Sequence, residues 1–182
     1  MSIINPGGGP QPIQFQRAMV FVDGTNLFYR LQTAQLKLTH DLATIITSFL
    51  RGRQVNRVYM YTVQVNLDKA VAIHGEHLTR GLRIVQGEAV PTGDGNFREK
   101  GVDALLVADL VYHAAVKNLD YALVVSTDTD FVQALRRVED FGCRTGVLGV
   151  CQALPSRLSE ASDDAMTLSI ESMIANNWAE RV

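Results

Sequence analysis

Ala18-Met19-Val20-Phe21-Val22-Asp23-Gly24-Thr25-Asn26 is the stretch that decides the fold. Its first five residues form an unbroken apolar run, the pattern of a strand covered on both faces. The run stops at an acid, and a helical pattern follows from Thr25 to Leu36. The same plan recurs where Tyr121-Ala122-Leu123-Val124-Val125 runs into Ser126-Thr127-Asp128-Thr129-Asp130. Strands buried on both faces belong to parallel sheets flanked by helices.

Outward from these two runs, strand and helix patterns alternate. Residues 41–51 read as a helix, 57–63 as a strand, 67–80 as a helix and 82–90 as a strand. The Gly-rich stretch from Pro91 to Gly101 reads as a polar loop. A strong helix is expected over 102–116, with Val102, Leu105, Leu106, Ala108 and Leu110 on its apolar side. Another helix follows over 131–141, a strand over 144–150, and a helical region over 155–178. Right-handed crossovers then make the expected fold α/β, three layers around a central, mainly parallel sheet.

The chain has 182 residues, room for one domain rather than two. Residues 1–17, with Gly7-Gly8-Gly9-Pro10, are expected to be a flexible N-terminal segment, and 18–182 the domain. Hydrophobic residues make up 47% and charged ones 20%, which excludes a disordered chain. No apolar stretch approaches the ~20 residues of a membrane helix, and no secretory signal pattern opens the chain. Cys143 and Cys151 form neither a CxxC pair nor a disulfide framework, so a cytoplasmic protein with reduced thiols is expected. The net charge of −2 excludes a generally basic nucleic-acid-binding surface, but not local phosphate binding.

Ligands of open parallel sheets bind beyond the carboxyl ends of the strands, where strand order reverses. If the two apolar strands are central neighbours, Asp23, Asp128 and Asp130 converge at one edge. Asp103, opening the 102–116 helix, joins them if that helix follows a crossover. Acids so close raise one another's pKa, and a hard divalent cation relieves the repulsion. Mg²⁺ takes carboxylate oxygens and can activate water for attack at phosphorus, as in a metal-dependent nuclease or phosphatase. Each acid also has a plainer role, since Asp after a strand caps a helix and Asp103 suits a helix dipole. Lys100 stands where the dipole disfavours a cation, so a nearby anion, either the acidic cluster or a substrate phosphate, would offset that cost; the plainer reading is a solvated lysine.

The motifs resemble those of NYN domains, a branch of the PIN-like nucleases. Val22-Asp23-Gly24-Thr25-Asn26 resembles the first-strand Asp-x-x-Asn signature, and Lys100-Gly101-Val102-Asp103, followed by Asp109, the central helix. Ser126 to Phe131 resembles the Ser-x-Asp-Ser-Asp-Phe turn, with Thr127 and Thr129 where smaller residues are frequent. Ser156 to Asp163 resembles the late Leu-x-x-x-Ala-Asp segment, with Ser162 in place of Ala. The resemblance spans residues 18–170 and implies a PIN-like sheet with a Mg²⁺- or Mn²⁺-dependent ribonuclease site acting on RNA. Asp23, Asp103, Asp128 and Asp130 map onto its acidic, metal-binding quartet, and Asn26 onto the polar partner. Asn26, Lys100, Ser126 and Thr127 are the expected substrate contacts. Asp109 is a supporting residue, because six positions from Asp103 it sits about 120° round the helix.

The alternative is a non-cleaving nucleic-acid or protein-binding module on the same fold. Phe21 to Thr25 is also similar to the haloacid-dehalogenase motif Asp-x-Asp-Gly-Thr, but Phe21 stands where that mechanism needs its nucleophile. His74 and His77 have an i, i+3 spacing that could bind Zn²⁺, but no third ligand is visible, so packing or surface roles are favoured. Arg136-Arg137 reads as a solvated helix face that could also meet a phosphate backbone. Met173, Ile174 and Trp178 are expected to pack, or to form a homodimer contact.

Overall fold

The computed structural model describes residues 16–182. β1 (Arg17–Asp23) leads through α1 (Gly24–Thr33) to a short β2 (Leu36–Leu38), then α2 (Leu42–Thr47) and β3 (Gln54–Thr62). α3 (Gln64–His74) returns the chain to β4 (Arg83–Gln86). A hairpin of β5 (Glu88–Pro91) and β6 (Phe97–Lys100) precedes α4 (Val102–Ala115), β7 (Tyr121–Val125), α5 (Val132–Asp140) and β8 (Arg144–Gly149). The chain ends through α6 (Ser156–Ser159), β9 (Asp164–Thr167), α7 (Ile170–Ala175) and β10 (Ala179–Arg181).

Six strands form one parallel sheet in the order β4-β3-β1-β7-β8-β9. From β1 the chain builds outward to β3 and β4, then crosses to β7 and builds the other way. Strand order therefore reverses between β1 and β7, the position where open α/β sheets bind ligands. Alternation along β1 sends Ala18, Val20 and Val22 into one core with α1, α2 and α3, and Met19 and Phe21 into another with α4 and α5. Each fully buried valine or phenylalanine of this kind contributes about 1.5–3 kcal/mol. The three-layer α/β fold expected from the sequence is the fold observed. Among the described residues, no helix is long and apolar enough to cross a membrane.

Two expectations are corrected. The stretch expected as a polar loop over 91–101 contains strand β6 and, with β5, makes an antiparallel hairpin. Its turn is tied by Asp94, whose Oδ1 accepts from the Thr92 hydroxyl (2.6 Å) and the Asn96 amide (3.1 Å). The strand expected over 82–90 consequently divides at Gly87, where a Cβ would lie 2.8 Å from the Lys100 carbonyl. The region expected to be helical over 155–178 holds only two short helices, with β9 between them pairing beside β8. Asp163 interrupts the helical pattern there, accepting the Thr145 amide at 2.8 Å.

Of the N-terminal segment, residues 1–15 lie outside the described residues, while Arg17 already belongs to β1. Trp178 packs edge-on against Phe49 and Met173 is buried, so this end of the chain serves the fold. His74 and His77 face different partners, the Leu38 amide and the Asp41 carboxylate, and do not converge on a common ion. Arg137 pairs with Asp140 at 2.9 Å, and Arg136 is exposed. Both cysteines are free.

Candidate active site

β1 delivers Asp23 to the switch point, and the turn into α1 fixes its side chain. Oδ1 caps the helix by accepting the Asn26 amide at 3.0 Å. A glycine must follow, because a Cβ at Gly24 would lie 2.7 Å from the Tyr61 carbonyl of β3. Oδ2 accepts the Ser126 hydroxyl at 2.9 Å, and the same hydroxyl oxygen accepts the Asp128 amide at 3.0 Å. Ser126 thus links the acid after β1 to the acid after β7. Asp128 in turn caps the one-turn helix at Thr129–Phe131, its Oδ1 accepting the Asp130 amide at 2.9 Å. Capping and clustering hold together here, since each cap uses one carboxylate oxygen.

Asp103 arrives from the other direction. Gly101, in the left-handed region at φ 82°, turns the chain out of β6 so that α4 can start with Asp103 in its first turn. Burial, offset in part by its two hydrogen bonds, pushes Asp23 up to about 6, and the charges of Asp103 and Asp128 add to the rise. Asp103 is raised as well, by partial desolvation and then by Asp128, Glu99 and Asp130. The structure therefore brings the four acids of the expected quartet within reach of one another's charge. Among the described residues, none of them joins an ion pair. Nor do three His, Cys, Asp or Glu side chains stand close enough to hold one ion as they are.

A fifth carboxylate was not singled out in the sequence. Glu99, on β6, accepts the Thr25 hydroxyl through Oε2 and the Asn66 amide through Oε1, each at 2.6 Å. The available signal was the alternation Phe97-Arg98-Glu99-Lys100 after the Asp-Gly turn, which puts Phe97 and Glu99 on the inner face of a strand. The same alternation sends Lys100 to the outer, exposed face, away from Glu99. Lys100 is thus the one expected substrate contact that its strand turns from the carboxylates.

Asn26, Ser126 and Thr127 direct their hydrogen bonds inward. Asn26 Oδ1 accepts the Thr127 amide at 3.2 Å and its Nδ2 lies 3.1 Å from Thr127 Oγ1. Arg30, one turn along α1, donates to the same hydroxyl at 2.9 Å and was also not foreseen. These contacts tie the β7 loop to α1 and hold Asp23 and Asp128 in place. Asp109 turns to Tyr61, whose hydroxyl donates to Oδ2 at 2.9 Å. Asp163, at the end of the late motif, lies just before β9 at the opposite, amino edge of the sheet.

A solved structure shares the fold. A protein of unknown function, VPA0982 from Vibrio parahaemolyticus, matches 88% of this chain and 98% of its own, with a TM-score of 0.70 and 18% identity. A glycosyltransferase from Glycyrrhiza uralensis, UGT73P12, matches 76% of this chain but 29% of its own, with a TM-score of 0.38 and 11% identity, too distant to bear on fold or chemistry. No curated protein matches the sequence. The family model of the NYN domain matches residues 17–170, from the first residue of β1 into α7, and so takes in all six strands of the parallel sheet and every acid at its carboxyl edge. The chain belongs to the NYN domain family.

Proposed function

We propose that this NYN domain is a Mg²⁺- or Mn²⁺-dependent ribonuclease that hydrolyses phosphodiester bonds of RNA. One observation carries the reading: Ser126 bridges Asp23 and Asp128 where strand order reverses, Asp103, Asp130 and Glu99 lie near enough to act on the charge of this pair or of one another, and no cation of the described residues pairs with any of the five. Only hard oxygen donors are present, which suits Mg²⁺ or Mn²⁺. Asp23, Asp103, Asp128 and Asp130 would hold the ion, directly or through the waters it retains, with Glu99 beside them. When bound, the ion supplies charge neutralisation at the phosphate and a more acidic water.

The chain's own residues do the rest. Ser126 and the Asn26 amide hold Asp23 in one rotamer, so its carboxylate is positioned before substrate arrives. The Ser126 hydroxyl orients the Asp128 turn, and the Asn26–Thr127–Arg30 contacts keep that turn against α1. In the hydrolysis, water loses a proton and adds to phosphorus. The bond from phosphorus to the departing ribose oxygen breaks, and that oxygen takes up a proton.

The test is cleavage of end-labelled single-stranded RNA with Mg²⁺ or Mn²⁺, against the same reaction in excess EDTA. Cleavage that requires the ion and disappears in Asp128→Asn is the expected result. Equal cleavage in EDTA overturns the mechanism. Binding of the RNA without cleavage under either metal would favour the alternative module.

A further inference from the structure

α1 and α3 leave the carboxyl ends of neighbouring strands, β1 and β3, and a cavity of about 210 Å³ lies between them. At its polar end stand Thr25 and Asn66, the two side chains that hold Glu99. The cavity therefore adjoins the candidate active site through these two residues. Its size is below the ~300–1,000 Å³ of pockets that enclose whole drug-sized ligands, so it has room for one ring system.

Its walls have the chemistry of a base-stacking site. Phe28 and Tyr29 come from α1, and Tyr29 is 63% exposed although nothing in the fold requires an aromatic on the surface there. Aromatic faces take any base by stacking. Lys69, one turn beyond Asn66 on α3, is exposed at the rim, with its ammonium 5.2 Å from the centre of the Phe97 ring. A cation in that position suits a phosphate of the same strand.

The floor supplies an independent pointer. His74 is 4% exposed and lines the cavity. Its Nδ1 lies 3.3 Å from the Leu38 backbone nitrogen, and a backbone N–H can only donate. Nδ1 is therefore the acceptor, and the ring proton sits on Nε2. Burial favours this neutral form. Among the described residues, the Nε2–H has no hydrogen-bond partner. An oxygen or ring nitrogen on a base edge would accept from it.

We propose that the cavity between α1 and α3 is a nucleobase subsite, taking a base of the RNA strand beside the scissile phosphodiester, stacked on Tyr29, paired with His74 and flanked by Lys69. The proposal rests on the ribonuclease reading and gives that reading its substrate-positioning element.

The experiment measures kcat and KM for a short single-stranded RNA with Mn²⁺, using the wild type, Tyr29→Ala, Tyr29→Phe and Lys69→Gln. Each is run on the intact RNA and on a set with one abasic residue at each position around the cleaved bond. Tyr29→Ala should raise KM about tenfold, with kcat within about twofold, and Tyr29→Phe should restore it, because stacking needs the ring and not the hydroxyl. One abasic position should cost the wild type a similar factor and cost Tyr29→Ala almost nothing more. Lys69→Gln should weaken all of the substrates alike and flatten the salt dependence. Unchanged kinetics in Tyr29→Ala, or a wild type indifferent to every abasic position, overturns the subsite. If neither metal supports cleavage, the ribonuclease reading fails instead. Fluorescence anisotropy with the same RNAs then decides the cavity, by the same comparison of intact and abasic strands.

Discussion

Acids stand at both ends of the parallel sheet, and the two ends treat them in opposite ways. At the amino ends three of the acids meet an arginine. Asp120 receives Arg17 through two side-chain hydrogen bonds (2.8 and 3.0 Å), Asp164 receives Arg53 (3.3 Å), and Asp163 lies 3.6 Å from Arg144. At the carboxyl ends Asp23, Asp103, Glu99, Asp128 and Asp130 have one another and neutral donors, with no ion pair among the described residues. The hydrogen bond from Arg17 holds Asp120 below the usual carboxylate range, while burial lifts Asp23 to about 6. The difference is one of purpose. An acid that only stabilises the fold is best paired with a cation already in the chain. A cluster left without one is destabilising by itself, and this suits a site whose positive charge comes from outside.

The largest effect that could break this comparison is Asp128→Asn. The amide keeps the oxygen that caps the Asp130 amide, so the turn should persist. Metal-dependent cleavage should fall by more than about 100-fold, since even partners outside the ligand shell are worth 10–100-fold. Mg²⁺ should raise the melting temperature of the wild type and raise that of the variant much less. An equal response in both would make Asp128 a cap and nothing more.

Next in size is the pH dependence of the metal-free protein. Asp23 holds its proton up to about pH 6 when folded and releases it nearer 3.8 when unfolded. The folded state therefore binds more protons between those values, and stability falls as pH rises from about 4 through about 6. The full loss is up to about 3 kcal/mol, at 1.36 kcal/mol per pKa unit. Urea titrations of the wild type and Asp23→Asn across this range check it. The variant should lose this contribution, so the stability of the wild type relative to the variant should fall by up to about 3 kcal/mol as pH rises through the window, and a difference that does not change with pH would reverse the electrostatic picture.

How far the sequence could see follows the same divide. β1 and β7 were legible because both faces of each are buried and each ends in an acid. Asp23, Asp128 and Asp130 follow from those two strands alone. Glu99 was hidden because its role depends on a hairpin whose charged residues look like a loop, and on Thr25 and Asn66, which lie 74 and 33 residues away. The arginine pairs of the amino edge were equally hidden. Arg17 and Asp120 are 103 residues apart, Arg53 and Asp164 are 111 apart, and no local pattern marks either pair. Lys100 is the converse, a residue a motif singled out and strand alternation places on the exposed face of β6, opposite Glu99.

The amino edge has its own test. Asp164→Asn removes the charge opposite Arg53, which also lies 3.8 Å over the Tyr121 ring. Loss of a largely buried ion pair at this edge should cost roughly 1–2 kcal/mol, between exposed and fully buried pairs. The melting-temperature gain from Mg²⁺ should be unchanged. A variant that loses its Mg²⁺ response would mean that the two edges are not separate.

The smallest expected effect concerns Asp109, the acid that belongs to neither group. It lies on α4, as Asp103 does, but its Oδ2 accepts from the Tyr61 hydroxyl and not from a cation. Tyr61 is fully buried, and burial together with Asp109 keeps its phenol protonated. Tyr61→Phe removes only this donor and keeps the ring beside Tyr59, 6.2 Å between centres. Asp109 is partly exposed, so water can replace the lost bond, and the cost in stability should be about 1 kcal/mol. RNA cleavage should be unaffected, because Asp109 faces the aromatic core and not the Asp23–Ser126–Asp128 chain. A loss of cleavage as large as that of Asp128→Asn, in a variant that melts normally, would move Asp109 into the site and make Tyr61 the residue that positions it.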